Sequence, residues 1–212
     1  MIIADLTHPI IPHMPVYPGT PAPDIRPAAL LHQHGWRETS LTLWSHMGTH
    51  MDAPAHLLQE GQTLDTISPS QFFGPAVVLP CATHFCIPRS VIQETAGIRD
   101  ADFLLFRTGW ENHWSSPAYL HPWPHLSLEA AQWLATQHYK GIGIDTLSPD
   151  DAHSEELPIH RILLQAGILL LENLCGLEQL PTVPVQLTAL PLLYDHADGA
   201  SARIVAQWDE TI

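Results

Sequence analysis

The chain has 212 residues, 45% of them hydrophobic, enough for one good core, so we expect a single domain over 1–212. Eight Lys and Arg stand against 22 Asp and Glu, and a formal charge of −14 argues against nucleic acid or an anionic membrane surface as a partner. Cys81, Cys86 and Cys175 form no CxxC pair and point to a reducing compartment rather than to a disulfide frame.

The opening MIIADLTHPIIPHMPVYPG has neither a basic n-region nor a long apolar stretch, and no segment reaches bilayer length. We therefore expect a cytoplasmic protein. Prolines are densest over 9–27 and 117–124, which reads as ordered loop rather than sheet or helix interior. Alternation predicts a strand over 41–52, and a second strand follows at 76–79. A short helix over 88–96 has proline early and Gly97 late. An apolar strand at 103–107 precedes a helix over 128–138, which Ser127 can cap. A strand at 141–145 follows at once. Helix then strand recurs at 159–166 and 168–172, and 185–190 and 203–208 are closing strands. The pattern is α/β, with a mixed β core and flanking helices.

The segment SHMGTHMDAPAHL holds His46, His50, Asp52 and His56 within eleven residues. Imidazoles and a carboxylate at that density are a metal-ligand set by residue type. His46, Gly48, His50 and Asp52 fall on alternate positions, so one extended strand would turn them to one face, with Gly48 leaving room for an ion. Helical spacing fits in part, but Gly48 and Pro54 argue against a continuous helix. We expect a strand ending at Asp52, a turn at Ala53–Pro54, and His56 returning over the site. Further ligands are available downstream. Asp145 and Glu172 each end an apolar strand, where a carboxylate needs a partner, and His160 opens the helix HRILLQAG. Taken alone, each of these could equally mark an exit into solvent.

HMGTHMDAPAH resembles the HxGTHxDxPxH motif of the cyclase family of metal-dependent hydrolases, which includes bacterial kynurenine formamidases and isatin hydrolases. DLTHPI with VYPG, FRTGW, GIDTLSPD and the 160–172 interval are similar to further landmarks of that family. The resemblance implies two divalent ions, zinc or alternatively manganese. His46, His50, Asp52 and Glu172 would hold one, and Asp52, His160 and Glu172 the other. It implies His56 as the catalytic histidine, a swivelling β/β/α fold, and a homodimer or homotetramer. Tyr17 stands where the formamidases often carry a Trp that lines the substrate pocket.

The chemistry that fits is hydrolysis of a C–N bond in a small amide, aryl formamide or cyclic amide. A metal-bound water reaches a pKa of about 7, and a nearby free histidine can serve the leaving nitrogen. Kynurenine formamidase is the leading specific candidate. Trp44 and Trp110 are candidates for an aromatic wall against an aryl substrate. A non-catalytic metal-binding or oligomeric interaction protein of the same fold is the alternative. It has no use for a spare histidine beside an open coordination position.

Overall fold

The computed structural model describes residues 1–210. Its strands, in chain order, are β1 (Ile2–Asp5), β2 (Asp24–Ala29), β3 (Glu38–Thr42), β4 (His50–Asp52), β5 (Phe73–Pro80), β6 (Cys86–Ile87), β7 (Phe103–Arg107), β8 (His125–Leu126), β9 (Gly141–Ile144), β10 (Leu169–Glu172), β11 (Val185–Pro191) and β12 (Gly199–Trp208). The helices are α1 (Leu31–His34), α2 (Arg89–Glu94), α3 (Leu128–Leu134) and α4 (Pro158–Gln165), with short 3₁₀ turns between.

The main sheet runs β12-β11-β5-β7-β9-β10-β4, and β4 pairs back onto β12, which closes seven strands into a barrel. β1 adds to the far end of β12. β5, β7, β9 and β10 are parallel, and the remaining pairings are antiparallel. Parallel neighbours need long crossovers, and α2, α3 and α4 lie on the three that join β5, β7, β9 and β10.

Both faces of the parallel strands are buried. Phe103, Leu105, Leu169 and Leu171 point into the barrel with Met51, Ile204 and Leu187. Leu104, Phe106, Ile142, Ile144 and Leu170 point outward under Ala131 of α3 and Leu163 of α4. That double burial explains their continuous apolar reading. The interior is tight at Gly143, where a Cβ would come within 2.5 Å of Leu174.

The strands expected at 76–79, 103–107, 141–145, 168–172, 185–190 and 203–208 all appear: 103–107 as expected, 141–145 and 168–172 one residue shorter, and the others longer. The expected helix over 128–138 stops at Leu134, and that over 88–96 spans only Arg89–Glu94. Two corrections matter more. Pro27 lies inside β2, where the β2–β3 hairpin tolerates it beside a register shift, because this two-stranded ribbon stands apart from the main sheet. The strand expected over 41–52 is broken: β3 ends at Thr42 and β4 begins at His50, with Gly48 between them at φ +64°. No described helix is long and apolar enough to cross a membrane.

Candidate metal centre

β4 lies between β10 and the first residues of β12, with Glu172 opposite His50 and Gly199 opposite Asp52. Met51 points into the barrel, so the two-residue pleat turns His50 and Asp52 outward. Glu172, two residues beyond outward-facing Leu170, joins them. The N-terminal turn of α4 covers this face and brings in His160.

The resulting contacts are specific. His50 Nε2 lies 3.2 Å from Asp52 Oδ1 and 3.3 Å from Glu172 Oε2. His160 Nε2 lies 3.3 Å from Asp52 Oδ2 and 3.1 Å from Glu172 Oε1. Each carboxylate thus turns one oxygen to His50 and the other to His160. His46 Nδ1 lies 2.6 Å from Asp52 Oδ1.

The far nitrogens of these rings are already engaged. His50 Nδ1–H donates to the Gly48 carbonyl at 2.8 Å, and His160 Nδ1–H to Asp150 Oδ2 at 2.6 Å. Their Nε2 lone pairs therefore face carboxylate oxygens. Acceptor against acceptor is repulsive unless a proton or a cation lies between, and burying charge unpaired costs several kcal/mol per ion. His50 Nε2, Asp52 Oδ2 and Glu172 Oε1 are buried without a hydrogen-bond partner. A set of imidazole nitrogens and carboxylate oxygens left open in this way fits a divalent metal.

The proton affinities say the same. Burial pulls His50 down, but Asp52 and Glu172 outweigh it and push the ring up to about 10. His160 goes well up against its own burial, through Asp150, Asp52 and Glu172. Burial raises Asp52, yet His46 and His50 beside it carry it well below the usual carboxylate range. Without a metal the cluster takes up protons, as a preformed cation site must.

His56 ends the 3₁₀ turn Pro54–His56, its ring 3.8 Å from that of His46 and 5.9 Å from that of His160. Burial lowers its proton affinity, so it is neutral near pH 7. The metal-facing groups floor a cavity of about 260 Å³, which His56, Tyr17, Pro15, Val16, Leu147 and Leu157 also line.

Of the sequence candidates, the structure brings together His46, His50, Asp52, His56, His160, Glu172 and Tyr17. It does not bring in Trp44, which is 52% exposed and outside the lining. Trp110 is also outside the lining: its Nε1–H donates to the Tyr119 carbonyl, and it packs on the buried Trp114–Tyr119 cluster. Asp145 is structural. Its carboxylate accepts from the Thr108 N–H and hydroxyl and from the Gly109 N–H, tying the end of β7 to β9. His46 does not arrive by strand alternation; the left-handed turn at Gly48 folds it back. A Cβ on Gly48 would meet Met14 at 3.1 Å, and the Gly48 carbonyl also accepts from Asn173 Nδ2. Asp150, Asn173 and Asp198 were not singled out from the sequence.

A family model described as putative cyclase matches residues 4–151. The chain belongs to that cyclase family. It is 31% identical to the kynurenine formamidase of Geobacillus thermodenitrificans over 204 residues, covering 94% of each chain. Isatin hydrolase A of Labrenzia aggregata superposes with a TM-score of 0.87 at 26% identity, over 97% of this chain and 93% of that one. A Bacillus stearothermophilus protein predicted to be a metal-dependent hydrolase superposes at 0.81 with 28% identity, over 97% of each chain. With these relatives, the family member described here is a metal-dependent hydrolase.

Proposed function

We infer that the chain cleaves the C–N bond of a small amide, aryl formamide or cyclic amide, with kynurenine formamidase as the leading specific activity. The observation that carries this is the division of Asp52 and Glu172, one oxygen each toward His50 and one toward His160, beside a free His56 in an open cavity. That division supports two divalent ions: Asp52 and Glu172 would serve both, with His46 and His50 completing one set and His160 the other. Zinc suits the donors, and manganese is the alternative.

Bound divalent ions supply Lewis acidity and an ionised water at neutral pH. The protein supplies the rest. His56, neutral and unbonded, takes up the proton that the attacking water loses and passes it to the leaving nitrogen. Tyr17, Val16, Leu147 and Leu157 form an apolar wall that suits a flat aryl ring and excludes water from it. A non-catalytic metal-binding role leaves both His56 and this wall without a use.

The same reading includes one domain over 1–212, the swivelling β/β/α arrangement, a cytoplasmic location, and assembly as a homodimer or homotetramer without nucleic acid or membrane. Exposed Leu31, Trp36 and Leu41 on the β2–β3 arm support self-association, since an isolated hairpin is marginal in water. Light scattering checks the mass. The activity is tested by assaying N-formylkynurenine, isatin and aryl formamides before chelation, after it, and after zinc or manganese is restored. Loss and return of hydrolysis supports the reading; hydrolysis by protein shown to be metal-free overturns it.

A further inference from the structure

His46 is oriented differently from its neighbours. His50 and His160 turn Nε2 toward the carboxylates and Nδ1 away, whereas His46 turns Nδ1 to Asp52 and Nε2 away. The group that receives Nε2 is Asp198, with Oδ2 at 2.9 Å. Asp198 is itself held. The Ser45 hydroxyl donates to Oδ2 at 3.3 Å, the Tyr194 hydroxyl, which donates to the Gly199 carbonyl at 2.5 Å, lies 3.2 Å from Oδ1, and the Asp198 carbonyl accepts from the N–H of Ala53, the residue after Asp52. The next residue completes the socket. A Cβ on Gly199 would lie 2.4 Å from His46 Cε1, so the ring rests on the bare backbone of β12. Asp198 and Gly199 lie outside the residues that the family model matches.

We propose that Asp198 is a positioning residue for the metal centre: by accepting the Nε2–H of His46, it fixes the tautomer that leaves Nδ1 free to ligate. Each nitrogen of His46 faces a carboxylate, Asp52 at 2.6 Å from Nδ1 and Asp198 at 2.9 Å from Nε2; a cation taking the place of the Nδ1 proton would leave the single remaining proton on Nε2, where Asp198 accepts it. A carboxylate partner also makes the ligating nitrogen more basic. The proposal rests on His46 being a metal ligand, as inferred under Proposed function.

The test is competition for zinc between a chromophoric chelator and the full chain, using wild type, Asp198→Ala, Asp198→Asn, His46→Ala and the Asp198→Ala/His46→Ala double variant. Loss of such an outer partner is expected to weaken zinc binding by about 10- to 100-fold. Asn keeps an oxygen acceptor for Nε2–H and should recover part of the loss. In the double variant the Asp198 change should add nothing, because it acts through a ring no longer present. The ligand-field bands of cobalt-loaded protein should shift in Asp198→Ala and move back toward wild type in Asp198→Asn. Additive losses, or unchanged affinity and spectrum in both Asp198 variants while His46→Ala weakens binding, overturn the proposal and leave the metal site standing. If His46→Ala itself leaves zinc affinity unchanged, the ligand assignment has failed instead. Should Asp198→Ala not fold, the near-isosteric Asn variant carries the affinity and spectral comparison, and wild-type values there overturn the proposal.

Discussion

His160 and His46 face the same carboxylate, Asp52, and each gives its far nitrogen to another aspartate, yet the two sides are built differently. Asp150, the partner of His160, is 1% exposed and also accepts the backbone N–H groups of Ile159 and His160, so one carboxylate caps α4 and orients the His160 ring. Asp198, the partner of His46, has a side chain 43% exposed and lies just before β12. The His160 side is thus part of the core architecture. The His46 side is a loop pressed against the sheet, and it adjoins His56. We read this as a division of labour: stability is invested in the closed side, and the chemistry sits at the open one.

Replacing His56 with Ala breaks the open side most directly. Turnover should fall by about 10²- to 10⁴-fold, the usual worth of a proton-transferring group, while zinc content and melting temperature stay close to wild type. Metal loss in that variant would make His56 a ligand and move the boundary between the two sides.

Asp150→Ala attacks the closed side. It strands a buried imidazole and two helix N–H groups, and should cost about 3–5 kcal/mol in urea unfolding, the range for breaking a buried charged network. Asp198→Ala should cost less than about 1 kcal/mol by the same measurement, as for partly exposed pairs. Equal losses would erase the distinction.

A further effect follows from pH. His50 is raised from 6.5 to about 10 by Asp52 and Glu172 despite its burial. A raised histidine contributes stability that is complete below pH 6.5 and disappears as pH climbs through about 10. Calorimetry of chelated protein should show the melting temperature falling across that window, with the stabilisation gained on adding zinc growing over the same range. A flat or rising profile would mean that the cluster does not share its protons as described.

The residues of the site were more legible in the sequence than their mounting. His50, Asp52 and Glu172 were legible because an acid or imidazole on an apolar strand stands out, and β4 and β10 do present them side by side. His46 was found by residue type but given the wrong route, since alternation cannot reveal that Gly48 adopts a positive φ. Asp198 and Asn173 were illegible: they act across 152 and 125 positions of sequence, through contacts that only the closed barrel creates. Asp150 left a faint trace in SPDD ahead of the His160 helix, a capping pattern separated from that helix by several residues. Trp44 and Trp110 stand out by aromatic surface, yet both lie outside the cavity, which Tyr17 and aliphatic residues line.

Sharing of Asp52 between two cation positions is what separates this reading from a single-ion site. Zinc titration of chelated protein, followed by equilibrium dialysis and elemental analysis, tests it in wild type and Asp52→Ala together. The account predicts two equivalents per chain in the wild type and none retained by the variant, because the remaining imidazoles and Glu172 cannot hold either ion tightly. One equivalent or fewer in fully loaded wild type, or a variant that keeps one ion at wild-type affinity, would contradict it.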